Sequence, residues 1–319
     1  MIIHFSCGAA SAVSALICMM EKPDKIELIY TDPGSEHKDN QRFLRDFENL
    51  AGQKVTYLKS KKYNSPMDVF EERRFLAGPK GAPCTTELKK KVARDYLGNR
   101  LLEEVNIWGF DPKESGRAKT FNNNNPELRS RYPLMEHSIS KSDCYYIIDS
   151  LGLDLPYMYK LGYKNANCTG CVKAENLGYW AAIREDFPKV YKWYAKFERK
   201  IGAIDPDTGK PRGAAINKRY KKCTNCADAT CGKCGDDNKV RHRVFLDELP
   251  KDQKPTRNIS FTCGYSCGAQ DMEIEAVKEL TKEPTLTGYI MSQDIKDFLM
   301  TKTNATGKDL RLNNNEVKR

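Results

Sequence analysis

No stretch of this chain approaches the roughly 20 consecutive apolar residues that a bilayer-spanning helix needs, and no charged segment precedes its opening Met1-Ile2-Ile3-His4-Phe5. A membrane partner and a secretory leader are therefore not expected, and a cytoplasmic location is. The Gly-x4-Gly-Lys-Ser/Thr pattern of a Walker loop is also missing, which removes that route to phosphate binding. Residues 203–240 lack any hydrophobic period, and no cysteine follows Cys267. Cysteine itself is not scarce. Twelve are present, grouped at short spacings, and in a reducing compartment such grouping points to metal rather than disulfides. The Asn-x-Ser/Thr triplets at Asn167, Asn258 and Asn304 then carry no meaning for glycosylation.

With 319 residues, 39% of them hydrophobic, the chain can bury a sizeable core as one large domain or two modest ones. Its formal charge of +10 favours polyanionic partners such as nucleic acid, or phosphorylated ligands. Simple solubility is the alternative, because many lysines alternate with glutamates on what read as helical faces.

Apolar residues 2–5 and 26–30 read as strands flanking a buried helix over 12–20, a βαβ unit. A helix over 40–50 stops at Gly52, and strands follow at 54–58 and 105–110. Alternating strands and helices predict an α/β fold with a doubly wound parallel sheet, Rossmann-like in plan. Between Val105 and Ser140 the chain carries a polar loop, with Asn122 to Asn125 in a row and Arg117, Arg129 and Arg131 nearby. Ser140-Lys141-Ser142-Asp143 has the form of a helix capping box. Helices over 177–185 and 188–201 are divided at Pro188. Their stripe of Tyr179, Trp180, Ile183, Phe187, Tyr191, Tyr194 and Phe197 reads as packing, with base stacking as the other possibility. A short amphipathic stretch at 292–300 precedes a polar tail, expected to be disordered after Thr303.

Ser6-Cys7-Gly8-Ala9-Ala10-Ser11 sits where the first strand hands over to the first helix. There, backbone N–H groups and the helix dipole converge on an anion, and glycine lets a phosphate come close. Cys7 lies beside a helix N-terminus, which lowers a thiol pKa and makes it a candidate nucleophile. A small side chain filling the turn is the other reading. His4 reads as a core residue, whereas His37 is placed to face a ligand at the end of the second strand.

The loop and the segments that follow in order resemble the PP-loop adenine-nucleotide α-hydrolase superfamily and its phosphoadenosine phosphosulfate (PAPS) reductase branch. Those segments are Tyr30-Thr31-Asp32-Pro33-Gly34-Ser35-Glu36-His37, Pro83-Cys84-Thr85-Thr86-Glu87-Leu88-Lys89, and Trp108-Gly109-Phe110-Asp111-Pro112-Lys113-Glu114-Ser115-Gly116-Arg117. Tyr132-Pro133-Leu134 comes next, then Leu161-Gly162-Tyr163 leading into Cys168-Thr169-Gly170-Cys171. The resemblance covers residues 1–175; beyond them only Phe245-Leu246-Asp247-Glu248-Leu249-Pro250 and the pair Cys263 and Cys267 are similar to reductase-like proteins of the branch. It implies a nucleotide-binding domain over 1–175, and the residue pattern beyond it reads as a helical and cysteine-rich metal-binding region over 176–270 and a C-terminal helix and tail over 271–319. It further implies that Ser6, Gly8 and Ser11 hold nucleotide phosphates, that Thr31 and Asp32 border the adenosine, and that Gly109 and Arg117 close the far side. Members that split ATP usually read Ser-Gly-Gly-x-Asp-Ser, where this chain has Cys7 at the first glycine and Ala10 at the acidic position. Reductases of the branch carry a C-terminal Glu-Cys-Gly-x-His segment, which this chain lacks.

Cys223-x2-Cys226-x4-Cys231-x2-Cys234 provides two thiolate pairs that close a tetrahedron, and a structural zinc is preferred there over an iron–sulfur cluster. Lys218, Arg219, Lys221 and Lys222 beside it suit phosphate contacts. Cys168 and Cys171 are half of another site, completed by Cys263 and Cys267 or by a set including Cys84. The resemblance favours an iron–sulfur cluster there, with a second zinc as the alternative. Cys18 and Cys144 read as core. Three functions are thus expected: a PAPS reductase-like enzyme taking PAPS, APS or ATP together with an electron or sulfur donor protein; an adenylating sulfurtransferase acting on tRNA or DNA; or a catalytically inactive nucleotide-binding protein stapled by zinc.

Overall fold

Ile2–His4 forms strand β1, two of its three residues fully buried, and α1 (Ala9–Glu21) follows it. The computed structural model describes residues 1–21, 26–77, 81–201, 217–222, 239–260, 272–273 and 283–306. Strand β2 (Glu27–Asp32), helix α2 (Asp39–Ala51) and strand β3 (Val55–Lys59) continue the alternation. Gly52 ends α2 in the left-handed region at φ 62°, the conformation glycine adopts without a Cβ penalty. Next come α3 (Pro66–Arg73), α4 (Pro83–Thr85), a π-helical turn (Thr86–Lys90), α5 (Lys91–Leu97) and α6 (Arg100–Glu103). Strand β4 (Val105–Ile107), α7 (Ser115–Asn124) and β5 (Arg129–Arg131) complete the sheet.

All four strand pairings are parallel, in the order β3-β2-β1-β4-β5. The chain therefore builds outward from β1 to β3, then crosses back to lay β4 on the other side of β1. Phe43 and Phe47 of α2 pack with α1 on Ile3, Phe5 and Leu28 on one face. Leu97 and Phe121, from α5 and α7, pack on Ile2, Ile29 and Trp108 on the other. This is the doubly wound sheet the alternation predicts, and it places a topological switch point between β1 and β4, where α/β folds open a ligand crevice.

The remaining helices are α8 (Pro133–Glu136), α9 (Lys141–Ser150), α10 (Tyr157–Lys160), α11 (Leu177–Asp186), α12 (Pro188–Ile201) and, last in the chain, α13 (Leu286–Thr306). Helices α9 and α13 pack against each other and against α1. Strands β6 (Asn217–Lys222) and β7 (Lys239–Val244) form an antiparallel pair, as do the short β8 (Ile259–Ser260) and β9 (Met272–Glu273). The aromatic stripe is core: Tyr179, Trp180 and Tyr194 are at most 2% exposed, and Trp180 meets Tyr194 edge-on at 5.3 Å. Ser140 caps α9 through the reciprocal bonds its sequence predicts.

Two stretches differ from the sequence reading. The polar loop over 105–140 contains α7, β5 and α8, because Ala118 and Phe121, three residues apart, bury against the sheet despite the asparagines around them. The amphipathic stretch at 292–300 belongs to α13, which starts six residues earlier and runs to Thr306. Among the described residues no helix is long and apolar enough to cross a membrane.

Candidate nucleotide site

The chain leaves β1 through Phe5 to Gly8, and Cys7 takes a left-handed φ of 53° so that the turn can enter α1. The Ser11 hydroxyl ties the turn together. It accepts from the Ser6 amide at 3.1 Å, the Ser6 hydroxyl at 3.1 Å and the Gly8 amide at 3.4 Å, and it donates to the Gly8 carbonyl at 2.9 Å. Ser6 is exposed at the mouth, whereas Ser11 is buried. No acidic residue stands in the first turn of α1, so the positive end of its dipole is not neutralised locally. Tyr159 of α10 underlies the turn; a Cβ on Gly8 would stand 3.0 Å from its hydroxyl. Burial pushes the Tyr159 hydroxyl above its ordinary pKa.

Gly109, just after β4, faces this turn from across the switch point. A Cβ there would lie 2.9 Å from the Ser11 nitrogen and 3.0 Å from the Ala10 carbonyl carbon, so only glycine lets the two loops approach this closely. Arg117 stacks on Phe110 at 4.0 Å and pairs with Glu114. Asp111 caps the following turn by accepting from the Lys113 amide at 2.8 Å, and burial, reinforced by Glu114, raises its pKa. Lys141, bonded to Asn165, has its pKa lowered by burial, with Glu114 opposing and Lys164 adding to the shift. Sequence reasoning assigned Lys141 and Lys164 no role; nothing in their local spacing announces that α9 and the segment after α10 bring them within electrostatic reach of Asp111.

The end of β2 supplies the third wall. Asp32 accepts from the Gly34 amide at 2.7 Å and from the Tyr57 hydroxyl, while Thr31 is half-buried. Behind them lies a buried carboxylate, Glu36. It accepts from the Tyr30 hydroxyl at 2.8 Å, Asn40 Nδ2 at 2.9 Å and Lys89 Nζ at 3.1 Å. Cys7 adjoins this group. Burial raises its thiol well above the ordinary value, and Glu36 adds to the rise against the opposing charge of Lys89. His37 precedes α2, its Nδ1 accepting from the Asp39 amide at 3.2 Å, and stacks on Tyr157 at 4.9 Å. His4 bonds Asn106 at 2.9 Å and stacks on Trp108 at 4.0 Å, as a satisfied interior residue does.

The segment holding Cys168 and Cys171 docks on the same β2 loop. Cys168 forms an antiparallel bridge with Glu36, and Ser35 O accepts from the Thr169 amide at 3.0 Å and hydroxyl at 3.1 Å. The Cys171 amide donates to the Tyr179 hydroxyl at 2.9 Å. Both cysteines are buried. Cys84 packs on the apolar cluster that contains Cys171 and on a smaller one with Tyr63 and Leu88. Among the described residues no group of three or more His, Cys, Asp or Glu is arranged to hold a metal. A pair of cysteines is half of a soft-metal donor set, and the donors expected to complete it, Cys263 and Cys267, lie outside the described residues, as do Cys223, Cys226, Cys231 and Cys234. Cys18 and Cys144 are interior.

No family model matches the chain, and no curated protein matches it. Among solved structures, the chain is similar to the crystal structure of a phosphoadenylyl-sulfate (PAPS) reductase from Candida auris in its phosphate complex. The likeness has a TM-score of 0.37 and 12% identity, over 52% of this chain and 80% of that one.

Proposed function

We propose that this chain is a PAPS reductase-like enzyme that binds an adenylyl nucleotide, PAPS, APS or ATP, in the crevice between β1 and β4 and carries out reductive or sulfur-transfer chemistry there. The observation that carries the reading is the apposition of Gly109 with Ala10 and Ser11 across the switch point, where the exposed Ser6 and the positive end of the α1 dipole, with no acidic residue in its first turn, suit an anion. Ser6, Gly8 and Ser11 hold phosphate in this reading, Thr31 and Asp32 border the adenosine, and Arg117 closes the far side with a guanidinium suited to phosphate or sulfate.

The role given to Cys7 is packing. A buried thiol whose pKa is raised lacks the thiolate that nucleophilic catalysis uses. The sulfur chemistry is assigned instead to Cys168 and Cys171, whose segment is anchored to the β2 loop beside the crevice. A bound iron–sulfur cluster would supply electrons or sulfur, and a zinc would supply rigidity.

Calorimetric titration with AMP, ATP and PAPS tests the proposal, alongside an anaerobic assay for sulfite release from PAPS with a dithiol donor. Ser11→Ala removes one acceptor and one donor of the turn and should weaken nucleotide binding about tenfold while the protein stays folded. Unchanged affinity in the variant, or no binding by the wild type, would sink the assignment.

A further inference from the structure

We infer that a second site, at the carboxyl end of β3, binds the phosphodiester backbone of a single-stranded nucleic acid. A cavity of about 410 Å³ opens there, lined by Lys59, Lys61 and Lys91 together with Tyr63 and Tyr96. The other charges around it largely cancel: Lys62 pairs with Glu72, and Glu87 with Arg73. Among the described residues Lys59, Lys61 and Lys91 form no ion pair, and the one unpaired carboxylate in the lining is Asp95. Tyr63 is 4% exposed and forms the floor of the cavity, its ring under Lys62 Nζ at 4.9 Å and its hydroxyl against the Lys62–Glu72 pair.

Lysines on an edge strand have a simpler use, since they discourage sheet-to-sheet association, and β3 is an edge of this sheet. That use explains neither Lys91, which comes from α5, nor the cavity behind the strand. The shape suits a polymer more than an enclosed small ligand. The three lysines are exposed, and Tyr96 presents aromatic surface at 44% exposure beside them, as base-stacking platforms do. The chain's net charge of +10 works in the same direction. Adjacent strands lie about 4.8 Å apart, so a strand held at β3 would pass roughly 10 Å from the loop after β1. The binding itself does not depend on the nucleotide reading.

Fluorescence anisotropy with short labelled oligothymidine and oligouridine, across a salt series, tests the inference. The wild type should bind with a salt dependence, and the triple variant Lys59→Ala/Lys61→Ala/Lys91→Ala should lose at least tenfold in affinity and about two units of the log–log salt slope, at about 0.7 per phosphate contact. Its melting temperature should be unchanged, because the three side chains are exposed, and AMP affinity should be unchanged in Lys61→Ala/Lys91→Ala, which leaves Lys59, the register partner of Asp32, in place. Absence of oligonucleotide binding by the wild type, equal binding by the triple variant, or displacement by inorganic phosphate at the same phosphate concentration would each overturn it. Loss of AMP binding in Ser11→Ala with oligonucleotide binding intact separates the fate of this site from that of the crevice.

Discussion

Gly109 lies against Ser11 so closely that a methyl group at position 109 would meet the Ser11 nitrogen at 2.9 Å. The obstructing atoms are backbone and cannot rotate aside, so Gly109→Ala must spread the two loops that wall the switch point. We expect a loss of about 1–3 kcal/mol in stability and at least tenfold in nucleotide affinity. Gly116→Ala is the control. Nothing lies within 4 Å of a Cβ at that position, which is inside α7, so it should be neutral or stabilise by up to about 1 kcal/mol. Urea unfolding and calorimetry on both variants decide the matter; equal behaviour of the two would remove the argument for a glycine-dependent crevice.

Glu36 and Lys89 are 53 positions apart and pair with side chains 4% and 13% exposed. Lys89→Met would leave a buried carboxylate with only Tyr30 and Asn40 as donors, at a cost of about 3–5 kcal/mol. Burial already raises the folded-state pKa of Glu36 above its unfolded value. The unfolded chain therefore releases that proton first, and stability falls as pH rises from the unfolded value through the folded one. Without Lys89 the folded pKa rises further, so the variant should recover stability on acidification relative to wild type. The double variant Glu36→Gln/Lys89→Met should regain most of the loss at neutral pH. A loss that is equal at all pH values would show that the lysine acts through packing alone.

Much of this arrangement is legible in the sequence where the cause is local. The capping box at Ser140 and Asp143, the stop at Gly52 and the restart at Pro188 depend on residues a few positions apart, and they fall where predicted. The α7 helix is not legible, because four asparagines in a row hide a contact face of only Ala118 and Phe121. Nor is the environment of Cys7. Its position beside a helix start predicts a lowered thiol pKa, but burial and Glu36, brought close by the β2 loop, dominate. Tyr159 beneath Gly8 and the docking of Cys168 on Glu36 likewise arise from tertiary contact, which no spacing encodes.

His4 makes the pH dependence of the sheet measurable. Burial lowers its pKa to about 4, against the hydrogen bond to Asn106. Between that value and the unfolded value near 6.5 the unfolded chain binds the proton and the folded chain does not, so stability is complete above about pH 6.5 and falls as pH drops toward 4. The loss should be about 2–3 kcal/mol over that window. His4→Gln, which keeps a donor toward Asn106, should flatten the slope there in urea titrations. An unaltered slope would assign the acid sensitivity to other groups.

Cys168 and Cys171 are the described half of the metal site expected from the cysteine spacing, and their segment is held by Ser35, Glu36 and Tyr179. Two sulfurs alone do not close a metal shell, so occupancy should depend on Cys263 and Cys267 as well. Protein purified without oxygen should carry iron near one cluster per chain, with visible absorbance that bleaches on reduction, and also zinc. Cys168→Ser/Cys171→Ser should abolish the iron and the absorbance but leave the zinc, which the sequence assigns to Cys223, Cys226, Cys231 and Cys234. Chelation of that zinc should leave nucleotide affinity intact, since the crevice is assigned to Ser6, Gly8, Ser11, Thr31, Asp32, Gly109 and Arg117. Zinc alone at both sites would make the cysteines scaffolding and shift the chemistry to the nucleotide itself, whereas protein with neither metal would withdraw the redox reading.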